Sequence, residues 1–114
     1  MLIGKVVGTV WATVKEPRLE SLKLLVVQNV DLAGKIQDPF VVAVDSVGAG
    51  LGETVLVAQG SSARQTAVTK DRPVDAVIVA IVDRLDAPAE AEVQKSFEER
   101  SREIETRLKQ LREV

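Results

Sequence analysis

The stretch VDSVGAGLGETVLVAQGSSAR, from Val44 to Arg64, places three glycines two residues apart between two valine-rich runs. Glycine is common where a backbone turns with positive φ, where it cradles a phosphate, and where two backbones approach closely. The valine-rich runs on either side predict β-strands, because β-branched side chains suit the pleated surface of a sheet. The stretch therefore predicts a strand, a glycine-rich connection and a second strand.

The three glycines do not match the known nucleotide-binding motifs. In the dinucleotide fingerprint G-x-G-x-x-G, the third glycine lies three positions after the second and a helix follows. Here Gly48-Ala49-Gly50 is followed by Leu51-Gly52-Glu53 and then by a predicted strand, and the acidic side chain repels phosphate. A P-loop would need Gly-Lys-Ser/Thr, which is missing. We interpret the stretch as a connection between strands whose backbone is crowded, as it would be near a rotation axis that relates copies of the chain.

The composition limits the classes of protein to which the chain can belong. Its 114 residues suffice for one domain. The formal net charge of −2 gives no reason to expect binding to nucleic acid or to an anionic membrane. No apolar run reaches the roughly 20 residues of a transmembrane helix, and Met1 leads into a strand-like pattern instead of a signal peptide. The chain has no cysteine, which excludes disulfides and fits a cytoplasmic protein.

The chain also has no histidine, so the commonest general base and most zinc or iron sites are unavailable. We therefore expect a protein that is not an enzyme and that has no catalytic, cofactor or metal site. Asp45, Asp75 and Asp83 lie in or beside predicted strands, where Asp is unusual. They are compatible with a cation site, but we favour hydrogen bonds to turn backbones or pairing with Arg and Lys across an interface.

Five short strands separated by Gly and Pro predict a mainly β protein with a small, closed or partly open antiparallel barrel. Residues 31–39 are interpreted as a turn that Pro39 closes. The first strand lies within residues 1–14, and the others are predicted at Leu22–Val30, Phe40–Val47, Thr54–Gln59 and Val74–Leu85.

The segment GSSAR contains two serines, Ser61 and Ser62, but no histidine is available to activate them. We interpret it as a capped turn in which the serine hydroxyls bond backbone amides and Arg64 reaches a carboxylate. Arg64 is also a candidate for an ion pair between subunits, because its guanidinium can bind a carboxylate in a bidentate manner.

The last segment is rich in helix-forming residues and is predicted to be one amphipathic α-helix. We expect its narrow apolar stripe to pack on the barrel or on a neighbouring subunit, with a self-associating helix as the alternative. Three Glu–Arg or Glu–Lys pairs four residues apart follow the order that stabilises helices. The candidate packing residues are Val93, Phe97, Ile104, Leu108 and Leu111.

Three motifs together resemble the pentameric vertex proteins of bacterial microcompartments, the family that includes the carboxysome and ethanolamine-utilisation vertex proteins. They are GKVVGTVWATVKEPRLESLKLLVVQ, AVDSVGAGLGETVLVAQGSSAR and PVDAVIVAIVD, and their order and approximate spacing match that family. The resemblance covers residues 1–86. Ala80 stands where the family tends to have glycine, and the C-terminal helix is longer than the tail typical of the family.

The resemblance implies an OB-like five-stranded barrel at residues 1–87, with residues 88–114 as a helical appendage. It also implies a homopentamer that closes the five-fold vertices of a shell otherwise built from hexameric proteins, without nucleic acid, membrane or cofactor. The alternative is an OB-like ligand- or nucleic-acid-binding module without catalytic activity. The implied assembly or axial-opening candidates are Asp45, Gly48, Ala49, Gly50, Leu51, Gly52, Glu53, Ser61, Ser62 and Arg64.

Overall fold

The computed structural model describes residues 1–86 and 90–112. Within these residues the chain forms five strands, two short 3₁₀ helices and one α-helix. The 3₁₀ helices span Pro17–Leu19 and Gly60–Arg64. The strands and the α-helix are β1 (Leu2–Val10), β2 (Leu24–Val30), β3 (Ile36–Asp45), β4 (Thr54–Gln59), β5 (Ala76–Ile81) and α1 (Glu90–Arg112).

The five strands close into a barrel in the order β1-β2-β3-β5-β4, with β4 pairing back to β1. Four of the pairs are antiparallel, and β3 pairs with β5 in parallel over a short register at Val44–Val77 and Asp45–Ile78. Closure gives each strand two neighbours and so protects most strand edges, but among the described strands residues 36–43 of β3 have no ladder partner on the side of β5. The predicted mainly β, five-stranded barrel with a C-terminal helix is confirmed.

Two clusters of buried side chains hold the barrel together. The inward-facing cluster includes Val27, Val55 and Val57, which are fully buried. A second cluster joins Val44, Ala58 and Val77 to Ala63 of the second 3₁₀ helix. The neighbouring residues along β3, β4 and β5 belong to the inner cluster, so the second one lies on the outer face of these strands. The segment 60–64 is therefore fixed to the barrel by its buried alanine.

Strand β3 begins four residues earlier than predicted, at Ile36, so that Pro39 lies inside a strand and does not end a turn. The pairing between β2 and β3 shifts from Gln28–Phe40 to Val30–Ile36, which leaves residues 37–39 of β3 opposite Asn29. Proline is tolerated in such a bulge because its missing N–H removes no ladder hydrogen bond there. The turn prediction for this segment was therefore wrong at its C-terminal end.

The other predicted strands differ from the observed ones only at their ends. Strand β4 has the predicted bounds, β2 begins two residues later than predicted, and β5 is shorter at both ends.

The first 3₁₀ helix begins after Glu16, whose carboxylate accepts hydrogen bonds from the backbone and side chain of Arg18. The Arg18 side-chain hydrogen bond is the main cause that lowers the pKa of Glu16.

Helix α1 lies within the predicted helical segment. Its apolar stripe is exposed, so the predicted packing on the chain's own barrel is not observed among the described residues. In each of the three i,i+4 charge pairs predicted for this helix, the nitrogen and oxygen atoms lie more than 4 Å apart. The predicted domain boundary between residues 87 and 88 falls outside the described residues. None of the described helices has the length and apolar character needed to cross a membrane.

Candidate functional site

The glycine loop, which we define as residues 46–53, connects β3 to β4. Gly48 has a φ of +80° and Gly52 a φ of +83°, a left-handed conformation that side chains with a Cβ rarely adopt. Gly50 does not have a positive φ, and a Cβ on it would lie 3.4 Å from Glu53 Oε1. Gly48 and Gly52 therefore serve the path of the loop through their conformation, whereas the contact at Gly50 is an ordinary one with a flexible side chain.

Asp45, at the end of β3, organises the first half of the glycine loop. Its Oδ1 accepts hydrogen bonds from the backbone N–H groups of Val47, Gly48 and Ala49, each at 3.1 Å. The carboxylate side chain is only 4% exposed. Because a carboxylate already occupies these three N–H groups, they are not available to bind a phosphate. The predicted role of Asp45, a hydrogen bond to the backbone of a turn, is confirmed.

Lys23 and Glu53 complete this network. Lys23 Nζ donates to the carbonyl oxygen of Ala49 at 3.0 Å and lies 3.8 Å from Asp45 Oδ2. Glu53 Oε1 accepts from the N–H of Gly50 at 2.7 Å. The N–H of Gly52 donates to the carbonyl oxygen of Val6 at 2.8 Å, and the N–H of Val6 donates to the carbonyl oxygen of Glu53 at 3.0 Å. These two bonds attach the end of the loop to β1. The loop is therefore held by contacts with β1, with Asp45 at the end of β3 and with Lys23 just before β2.

The side chains of the glycine loop point to a surface role. Ala49 is buried in the barrel core, which anchors the middle of the loop. Leu51 is 69% exposed, and Val47 is also exposed. An ordered loop that presents a leucine to solvent is suited to contact another protein surface, because the contact would cost little conformational entropy.

The Ser61–Arg64 segment lies apart from the end of the glycine loop. Glu53 and Gly60 lie at opposite ends of β4, about 20 Å apart. Within residues 1–86 and 90–112, the hydroxyls of Ser61 and Ser62 form no hydrogen bond, and Arg64 has no carboxylate partner. The predicted hydrogen bonds from the serine hydroxyls to backbone amides are therefore wrong. The segment is held instead by the buried side chain of Ala63. A partner for Arg64 on another subunit remains a prediction.

Asp75 and Asp83 do not join Asp45 in a carboxylate cluster. In the part of the chain that the structure describes, no group of three or more carboxylates is placed to hold a metal ion. Asp75 lies at the start of β5, where its carbonyl oxygen accepts a hydrogen bond from the N–H of Gly60 at 2.8 Å. The backbone of Asp75, and not its carboxylate, therefore helps to position the second 3₁₀ helix.

An apolar surface on the outside of β2 and β3 was missed by the sequence analysis. This outer patch consists of Phe40 and Val42 on β3 and Val26 on β2, where Val26 pairs with Val42 in the ladder. Phe40 is 62% exposed and Val42 is also exposed. Trp11, just beyond β1, is 90% exposed. Aromatic residues are enriched in protein interfaces, so the exposure of both aromatics of the barrel segment marks candidate contact positions.

The barrel matches proteins of one family in sequence and in structure. A family model described as "Ethanolamine utilisation protein EutN/carboxysome" matches residues 1–83. The chain is 51% identical over 83 residues to the carboxysome shell vertex protein CcmL of Synechococcus elongatus, which covers 73% of this chain and 84% of that protein. It is 41% identical over 85 residues to the microcompartment shell vertex protein EutN of Salmonella typhimurium, covering 75% of this chain and 86% of that protein.

A solved structure has the same barrel. The pentameric microcompartment shell protein GrpN from Rhodospirillum rubrum superposes with a TM-score of 0.71 at 43% identity, over 77% of this chain and 100% of that chain. These matches run through the barrel, whereas most of α1 lies beyond the matched residues.

Proposed function

The chain belongs to the EutN/carboxysome family, and on this premise we propose that it is a structural shell protein that caps the five-fold vertices of a bacterial microcompartment as a homopentamer. The observation that carries the proposal is the match through the whole barrel, with half of the residues identical to a carboxysome shell vertex protein. Residues 1–87 would be the vertex barrel and residues 88–114 its helical appendage. In the shell, the flanking partners would be hexameric shell proteins.

The comparisons do not favour the alternative of an OB-like ligand- or nucleic-acid-binding module, because the matched relatives are named as shell vertex proteins. A role in assembly also fits the features of the described barrel. These are an ordered loop with an exposed leucine and an apolar outer patch, which are features of contact surfaces. We therefore propose a structural and not a catalytic role.

Native mass tests the proposal directly. We expect light scattering or native mass spectrometry to give a single species at five times the chain mass of 12.3 kDa, and this species should persist on dilution. A closed ring resists dilution because each subunit is held by two contacts. A monomer at all micromolar concentrations would contradict the proposed function.

We propose that the outer patch forms one side of the contact between adjacent subunits. A cyclic ring uses heterologous contacts, in which one surface of each subunit meets a different surface of the next. Phe40 and Val42 are exposed in the single chain and would gain burial there, as aromatic and aliphatic anchors do in interfaces. The glycine loop, with Leu51 exposed, is proposed to lie at the other side of the contact or around the axial opening. Arg64 is proposed to form an ion pair with a neighbouring subunit.

The substitution Phe40→Glu should weaken each subunit contact by about 2 kcal/mol or more, because it places a charge in an apolar interface. Mass measurements over a dilution series should show the ring dissociating at higher concentration than the wild type. The matched control is Phe40→Leu, which keeps an apolar side chain and should keep the ring. Since Phe40 is exposed in the subunit, circular dichroism should show a folded barrel for both variants. Equal ring stability in Phe40→Glu and the wild type would exclude the outer patch as the contact.

A further inference from the structure

Among the described residues of the single chain, the apolar stripe of α1 has no partner surface. Its five apolar residues are between 49% and 72% exposed. Val93 and Ile104 are eleven residues apart, as are Phe97 and Leu108. An eleven-residue repeat corresponds to about 3.67 residues per turn, close to the period of a straight helix, so the stripe stays on one face of α1. Such a continuous apolar face needs a partner surface.

We propose that this face is covered by the α1 helices of neighbouring subunits in the same ring, so that five copies form a parallel helical bundle. The inference rests on the proposed function, because the ring brings the helices together. Cyclic symmetry places equivalent residues at the same height along the axis, so five helices that pack on one another must run parallel. The ring also raises their effective concentration to about the millimolar range that short tethers give.

The charges beside the stripe favour this partner. With about 100° between successive residues, Arg100 and Arg107 flank the stripe on one side. Glu98 and Glu105 lie on the other side, where Arg112 follows at the C-terminal end of the helix. Between parallel neighbours in a ring, the basic flank of one helix faces the acidic flank of the next. An antiparallel pair would instead bring like flanks together, which is unfavourable. Charge complementarity therefore selects the parallel arrangement that the ring imposes.

The same charges argue against a membrane surface as the partner. Helix α1 contains six acidic and six basic residues, so its formal charges sum to zero. Helices that bind anionic membranes carry an excess of Lys and Arg on their polar face. A second copy of the chain is the occupant that satisfies both the apolar stripe and its mixed flanks.

Cysteine cross-linking of the full chain tests the proposal, and the natural sequence contains no cysteine to interfere. Ile104 lies at the centre of the stripe, which faces the ring axis in every copy of a parallel bundle, and Thr106 lies on the opposite face, about 160° away around the helix. We expect Ile104→Cys, which keeps a small apolar side chain, to form intersubunit disulfides under mild oxidation at least about tenfold faster than Thr106→Cys, because disulfides need Cα atoms within about 7 Å. The rate should not change on dilution of the rings.

A further variant removes the stripe and keeps the probe. Adding Phe97→Gln and Leu108→Gln to Ile104→Cys should lower the cross-linking rate to that of Thr106→Cys. Equal rates for Ile104→Cys and Thr106→Cys in an intact pentamer would overturn the bundle and leave the proposed function standing. A rate that falls on dilution would show contacts between rings and would also overturn it. A monomeric native mass would contradict the ring itself, and with it both proposals.

Discussion

Replacing Gly4 with alanine should destabilise the barrel by about 3 kcal/mol or more, an effect at the upper end of those seen for overpacked cores. Gly4 lies buried in β1 opposite Asn29 of β2. A Cβ on Gly4 would collide with Val27 Cγ1 and would lie 2.6 Å from the carbonyl oxygen of Gln28. The second contact is with backbone in a paired strand, so β1 and β2 would have to move apart. The loss is a large fraction of the stability of a typical domain.

Urea unfolding at matched protomer concentration measures this effect, because assembly makes the apparent stability depend on concentration. Gly8→Ala in the same strand is the control. A Cβ there would meet Val26 at 3.7 Å, an ordinary van der Waals distance, so we expect a change within about 0.5 kcal/mol. If both variants unfolded at the same urea concentration as the wild type, the close approach of β1 and β2 at Gly4 would be wrong.

Sequence periodicity located the strands well because the barrel has an interior that accepts only apolar side chains. The predicted bounds of Thr54–Gln59 are those of β4, since both ends of this strand are marked by glycine or acidic turn residues. The start of β3 was missed because Pro39 normally argues against a strand. Only the pairing shift opposite Asn29 accommodates it, and that shift is a property of two strands and not of one.

The candidate site was predictable where its contacts are local in sequence. Asp45 lies two to four residues before the backbone N–H groups that donate hydrogen bonds to it, a spacing typical of turns. Its role as an acceptor in a turn could therefore be inferred. Lys23 lies 26 residues from Ala49, and nothing in its neighbourhood indicates the hydrogen bond that joins them. The GSSAR segment was misinterpreted for a related reason. Its buried alanine packs against residues of β3, β4 and β5, which are distant in the sequence.

The outer patch could not be recognised from the strand pattern, because Phe40, Val42 and Val26 lie in apolar runs that are equally consistent with burial on both faces. Only the closed barrel shows which side of β3 faces outward. One physical explanation covers the outer patch, the exposed leucine of the glycine loop and the apolar stripe of α1. All of them are exposed in the single chain, and the proposed ring of copies would provide further surfaces on which to bury them.

Replacing Asp45 with alanine should lower the free energy of unfolding by about 2–4 kcal/mol, because a single carboxylate satisfies three backbone N–H groups. The N–H of Ala49 belongs to a buried residue and would lose its acceptor, whereas those of Val47 and Gly48 belong to exposed residues that water can reach. We therefore place the loss below the sum of three charge-assisted hydrogen bonds. Lys23 Nζ would keep the Ala49 carbonyl oxygen but lose the nearby carboxylate.

The variant Asp45→Asn separates the acceptor from the charge. Its amide oxygen can still accept from the three N–H groups, so we expect a loss of only about 1 kcal/mol, from neutral hydrogen bonds and a weaker interaction with Lys23. Hydrogen exchange gives a local measure, because the amides of residues 47–49 should exchange much faster in Asp45→Ala than in Asp45→Asn. Should Asp45→Ala unfold within about 0.5 kcal/mol of the wild type with these amides still protected, the carboxylate would not be what orders the loop. If the glycine loop also contacts a neighbouring subunit, Asp45→Ala rings should dissociate at higher concentration than Asp45→Asn rings.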